Sequence, residues 1–334
     1  LSLRERPEAT QSQMVGFGGA GLYLGGRLYL GAATIPVPPV VSASPDFRAI
    51  LEGAEYSEQA GVVDALFSEL GATAHVRAAP EGALADAVEA ARDVGLEYVT
   101  SYPARIMERD ERLAVMRRLR ERLEAWGAVF AFGTRVERIK QTDDGFSARL
   151  RATADEQAES YAMTARALIL APGRYGAEWL VATARDLDVA VAPMPTAFGV
   201  RLEFDAQGYA ALTSVNPDPR LQLTLPEVDA IIKTYATCPG GLVAPVRRYG
   251  ALVASGVPLP LDRRGPTTTF TALLQPGAVG AEGAWKGTDA LATTVNAGSP
   301  DALVAQRLGD IRHRQPTDLA TLRANAVQPS CAQS

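Results

Sequence analysis

Residues 14 to 33, MVGFGGAGLYLGGRLYLGAA, are dense in glycine and lead into the proline-rich IPVPPVV of 35 to 41. Nothing else in the chain constrains it as strongly. Glycine loses more conformational freedom on ordering than any other residue, so a folded chain keeps such a cluster for a reason. Either the backbone takes positive φ, or something planar or phosphorylated approaches it with no side chain between. A glycine-rich surface loop is the plain alternative. Gly16, Gly18 and Gly21 satisfy G-x-G-x-x-G, the dinucleotide fingerprint, whose mechanism needs a buried strand before it and a helix after it. Here RPEATQSQ precedes and GLYLGGRLYLG follows, so the pattern does not by itself support a strict Rossmann turn.

With 334 residues, 47% hydrophobic and 21% charged, the chain can bury two moderate cores, and two domains are expected. A net charge of −5 and a pI near 5.3 give no basic field, so nucleic acid is set aside as a partner. No stretch approaches the roughly 20 apolar residues that cross a bilayer, and LSLRERPEAT lacks a signal peptide's apolar segment. No membrane partner and a cytoplasmic location are the expectation. Cys238 and Cys331 do not form the C-x-x-C pair of a dithiol enzyme. His75 and His313 stand alone, which leaves little material for a metal site or a Ser-His-Asp triad; no metal is expected.

Apolar spacing predicts helices over 46–70 and 81–94. A third is predicted from Glu108 to Trp126, where Leu113, Met116, Leu119, Leu123 and Trp126 form the packed stripe and Arg112, Arg117, Arg120, Glu121 and Glu124 the wet face. Gly127 ends it, two short β-rich runs surround Gly133, and the turn TDDG leads to the alternating strand FSARLRAT. The apolar run ALILAPG of 167 to 173 reads as a buried parallel strand, with a helix beginning near Gly176. From Pro193 onward short β-type runs (197–204, 231–237, 242–248, 267–275) alternate with turns, so 195–295 reads as a separate, mainly antiparallel domain.

The segment GFGGAGLYLGGRLYLG resembles the G-x-GGAG-x-x-x-x-GKL stretch of a group of bacterial FAD-dependent dehydrogenases of the glutathione-reductase-like class. GAVFAFGTRVERI with its preceding helix, ALILAPGRYGAEWL, AFGVRLEF, TYATCPGGLV and VAQRLGDI resemble further stretches of that group in the same order. The resemblance implies an α/β chain: an FAD/NAD(P)-binding Rossmann-like domain over 1–194, interrupted by a substrate domain over 195–295, with 296–334 returning towards the first domain. The family's first strand and glycine turn, and its closing glycine-rich segment, have no counterpart here, so the FAD domain is expected to be incomplete at both ends.

On that resemblance Gly18, Gly19, Ala20 and Gly21 give their backbone to the FAD pyrophosphate or isoalloxazine. Glu5 holds the adenosine ribose or is a solvated glutamate, and Val136 meets adenine or is a core valine. Ala171 to Gly173 bring backbone to the cofactor or simply end a strand. Arg174 is a candidate for the cofactor's phosphates. In the substrate domain, Cys238-Pro239-Gly240-Gly241 sets a thiol beside a turn that exposes backbone N–H groups, either lining an active site or as an inert buried cysteine. Arg201 shares an alternating strand with Glu203, and binds an acidic substrate or forms a surface ion pair. The implied function is an FAD-dependent oxidoreductase passing electrons between flavin and a small organic molecule, with NAD(P)H or another donor or acceptor as partner. The alternative is a flavin-free interaction module of the same fold.

Overall fold

The computed structural model describes residues 16–19, 21–22, 26–30, 54–77, 81–99, 104–154, 157–173, 176–191, 197–248, 251–259, 261–276, 291, 293–295, 297 and 303–324. The chain divides into two compact units, one of residues 1–116 with 194–334 and one of residues 117–193. It is a mixture of helix and antiparallel sheet, and every strand pairing among the described residues is antiparallel.

The elements run in the order β1 (Arg27–Tyr29), α1 (Ala54–Glu69), β2 (Val76–Arg77), α2 (Glu81–Asp93), β3 (Glu97–Val99), β4 (Ala104–Ile106), α3 (Arg109–Ala125), β5 (Thr134–Thr142), β6 (Gly145–Ala152), β7 (Tyr161–Ala165), α4 (Ala177–Asp186), β8 (Phe198–Asp205), α5 (Ala210–Val215), β9 (Arg220–Leu225), β10 (Ala230–Pro239), β11 (Leu242–Arg248), β12 (Ala251–Val257), β13 (Thr267–Pro276), α6 (Leu308–Arg312) and α7 (Leu319–Ala324).

The first unit is built on a five-stranded sheet of order β3-β9-β10-β13-β8. Alternation along β8 and β13 sorts its two faces. Leu202 and Phe204 lie opposite Phe270 and Thr268 on one face, and Arg201 and Glu203 lie opposite Thr271 and Thr269 on the other. On the apolar face Phe204, Tyr209 and Phe270 contact one another edge-on or tilted. Leu212 and Leu221 pack there against Ala87, Ala91 and Tyr98, together with Leu84, Val88 and Leu96. Each such side chain, fully buried, stabilises the fold by about 1.5–3 kcal/mol. The β11–β12 hairpin contacts strands β8, β10 and β13. A second, three-stranded sheet has the order β1-β4-β2.

In the second unit β5, β6 and β7 form an antiparallel meander. Asp143 and Asp144 make the two-residue turn between β5 and β6. Ile139 and Leu150 are buried, the Trp179 indole N–H of α4 donates to the Glu137 carbonyl at 3.4 Å, and Arg151 pairs with the Glu137 carboxylate at 2.6 Å.

Three local expectations are corrected. Residues 167–173 are not a strand, and Ile169 is 91% exposed; an apolar run becomes a strand only where a neighbour supplies the ladder, and this one pairs with none of the described strands. Of the two β-rich runs around Gly133 only the second is a strand, because Gly133 turns the chain with φ at +63° before β5 begins. Helix α3 forms where expected, with Leu113, Met116, Leu119 and Leu123 half-buried, but Val115 is fully buried, Arg112, expected on the wet face, is only 8% exposed, and Trp126 is 69% exposed.

Candidate functional site

The described part of the glycine segment is a tight turn. Gly16, Gly18 and Gly19 have φ of +102°, +90° and +51°. The Gly19 N–H donates to the Gly16 carbonyl at 3.0 Å, the Leu22 N–H to Gly18 at 3.2 Å and the Gly26 N–H to Gly21 at 3.0 Å, while Leu22 is buried and anchors the turn. Left-handed backbone accounts for glycine at 18 and 19. Among the described residues, a Cβ placed on Gly16, Gly19 or Gly21 would meet nothing within 4 Å, whereas one on Gly18 would lie 2.8 Å from the Leu22 side chain. Glu5, Ala20 and Arg174 lie outside the described residues.

Strand β1 leaves this turn and ties it to the five-stranded sheet. Arg27 pairs with the Asp218 carboxylate at 2.9 Å and donates to the Thr237 carbonyl. The other Asp218 oxygen accepts from the Thr237 N–H at 2.9 Å. Asp218 is itself held by its N–H on the Asn216 side chain at 3.0 Å, whose amide donates to the Tyr98 hydroxyl at 3.2 Å. Thr237 is presented this way because β10 is irregular between Tyr235 and Cys238, where Ala236 takes φ of +54°. An extra residue there redirects the chain, as β-bulges do.

The next residue, Cys238, lies near Arg201. Across β13, Cys238 of β10 lies opposite Thr269 and Arg201 of β8 lies opposite Thr271. The Arg201 guanidinium donates to the Thr269 hydroxyl, to the Thr269 carbonyl at 3.0 Å and to the Thr271 hydroxyl at 3.0 Å, and its charge acts on the Cys238 thiol, which donates to the Ala236 carbonyl at 3.5 Å. A Cβ on Gly256 of β12 would run into this guanidinium. Burial pushes the Cys238 thiol up, and the attraction of Arg201 and Arg27 does not offset it. Burial likewise lowers the Arg201 pKa, against the pull of Cys238 and Asp218. The thiol is therefore a protonated, sealed group, and a thiolate nucleophile has no support at this position.

The turn beyond Cys238 is closed as well. The Gly241 N–H is taken by the Cys238 carbonyl at 3.1 Å, and the Gly240 carbonyl accepts from Gly265 at 2.8 Å. A Cβ on Gly241 would lie 2.6 Å from the Cys238 Cβ and 2.6 Å from the Val257 carbonyl. Arg201 and Glu203 share a face without answering one another, since the Glu203 carboxylate accepts from the Thr267 hydroxyl at 2.9 Å.

The structure thus brings Arg201 and Cys238 near one another, sets Gly240 in the turn beyond Cys238, and keeps Gly18, Gly19 and Gly21 in one turn, filled by Leu22 at Gly18 and clear of described residues at Gly19 and Gly21, joined to this cluster through Arg27. Val136, Ala171 and Gly173 belong to the second unit. Val136 pairs with Leu150 beside a register shift, Ala171 is exposed, and Gly173 has φ of +69° with nothing within 4 Å of a Cβ. Sequence reasoning missed Arg27 and Asp218. The Asn216-Pro217-Asp218-Pro219 run carried a signal for the latter, since Asx side chains between prolines hold turns by bonding backbone.

No protein-family model matches the chain, and no curated protein matches it. Among the described residues no helix is long and apolar enough to cross a membrane, and no group of three or more His, Cys, Asp or Glu is placed to hold a metal ion.

Proposed function

We propose that the chain is an FAD-dependent oxidoreductase, with the turn around Gly18, Gly19 and Gly21 lying along the cofactor. The observation that carries this reading is the clear space, among the described residues, beside the left-handed backbone of Gly19, which a flat or phosphate-bearing molecule can approach where any other residue would interpose a side chain. On this reading the described sheets are parts of a Rossmann-like FAD domain and an inserted substrate domain, working in the cytoplasm without nucleic acid or membrane. The flavin, when bound, accepts or gives the electrons; the protein's part is to orient a small organic molecule and a nicotinamide nucleotide or other electron partner against it. Arg201 and Cys238 act by shaping the sheet face, because neither offers a free donor or a thiolate.

The sealed Cys238–Arg201 cluster favours a second reading, a flavin-free interaction module of the same fold. The visible absorption spectrum of the purified chain, before and after incubation with FAD, separates the two. Flavin bands that survive desalting support the first. A colourless protein after incubation supports the second.

A further inference from the structure

Among the described residues of the first unit, the buried or half-buried Arg27, Arg105 and Arg201 are met by partners. Arg27 has Asp218 and the Thr237 carbonyl, and Arg201 has Thr269 and Thr271. Arg105 of β4 grips both oxygens of Asp64 at 2.8 and 2.9 Å and donates to the Ala72 and Ala74 carbonyls. Arg112 of α3 differs. It is 8% exposed, its buried Nε has no hydrogen-bond partner, and among the described residues no carboxylate forms an ion pair with it. Burial pulls its pKa down, with Glu108 pulling the other way, yet a guanidinium stays charged in a protein.

An unpaired buried guanidinium is among the most costly groups a fold can carry, and this one has room made for it. It lies against Gly26, where φ is +61° and a Cβ would collide with the guanidinium and with the Met107 carbonyl. Gly26 in turn donates to Gly21, so the charge sits at the end of the open glycine turn. A guanidinium fork suits the paired oxygens of a phosphate.

We propose that Arg112 anchors a phosphate-type oxyanion beside Gly26, against the turn that holds Gly19 and Gly21. The proposal deepens the flavin reading by naming the residue that takes the cofactor's diphosphate, and rests on that reading only for the identity of the carrier. The test is calorimetric titration of the whole chain, and of Arg112→Met and Arg112→Lys, with inorganic pyrophosphate and separately with FAD, beside ligand-free thermal melts. Wild type is expected to bind pyrophosphate, Arg112→Met to bind it roughly tenfold more weakly or worse, and Arg112→Lys to fall between. Without anion, Arg112→Met melts at the same temperature as wild type or above it, because the unpaired charge is gone. Equal pyrophosphate binding by wild type and Arg112→Met, no binding by wild type, or a ligand-free Arg112→Met that melts well below wild type each overturns the proposal. Pyrophosphate binding that depends on Arg112 in a protein taking up no FAD keeps the oxyanion site and removes the flavin. FAD uptake that is the same in Arg112→Met does the reverse.

Discussion

At Cys238–Gly241 the surrounding atoms already fill the room that a Cβ on Gly241 would need, whereas beside Gly16, Gly19 and Gly21 no described residue stands within 4 Å of one. Both turns are glycine-rich and both stood out in the sequence, yet glycine serves opposite ends in them. In the first it lets the chain close on itself, so that Val257, Cys238 and Arg264 pack where side chains would have been. In the second it satisfies a left-handed backbone and leaves one side bare. Space alone separates a structural glycine from one that can receive a ligand.

The largest effect is expected at Arg27, which joins the open turn to the closed one. Its pair with Asp218 is mostly buried, with side chains 14% and 8% exposed. Arg27→Met leaves that carboxylate without its counter-charge and should destabilise the first unit by about 3–5 kcal/mol, measured by urea unfolding. A loss below 1 kcal/mol would mean that the two turns are not coupled through this pair. Next comes Gly241→Val, which overpacks the closed turn and should cost about 1–3 kcal/mol with no change in ligand uptake per folded molecule.

A smaller effect concerns pH. Burial raises the Cys238 pKa, so as pH climbs past the ordinary thiol value of about 8.5 the unfolded chain gives up this proton while the folded chain keeps it. Stability contributed by the neutral thiol is then present below that pH and is lost as pH rises towards the folded value. Urea midpoints from pH 7.5 to 9.5 should fall more in wild type than in Cys238→Ala. Identical slopes would show a thiol that ionises freely, and the closed turn would have to be re-read as an open one.

Much of the fold was legible because strand alternation is a local signal: AFGVRLEF and TTTFTALLQ became β8 and β13 with Arg201, Glu203, Thr269 and Thr271 on one face. Helix α3 was legible in position and misread in orientation. Apolar spacing assigns arginine to water by default, and only the bare Gly26 opposite it, distant in sequence, allows Arg112 inside. The short β3, which joins the five-stranded sheet through Tyr98 and Leu221, is too brief for periodicity to find. The nearness of Cys238 to Arg201 depends on register across three strands, and an irregular β10 shifts that register. The run ALILAPG shows the converse, since its apolar content predicted burial that no partner strand provides.

Gly19 tests the open turn most directly. Gly19→Leu strains a backbone at φ of +51° by about 1–2 kcal/mol and projects a side chain into space that is otherwise clear. In a titration followed by quenching of flavin fluorescence, wild type is expected to take up FAD, and Gly19→Leu, folded by circular dichroism, to take up none. Equal uptake by the two proteins, or none by wild type, would contradict the claim that the bare side of this turn receives the cofactor.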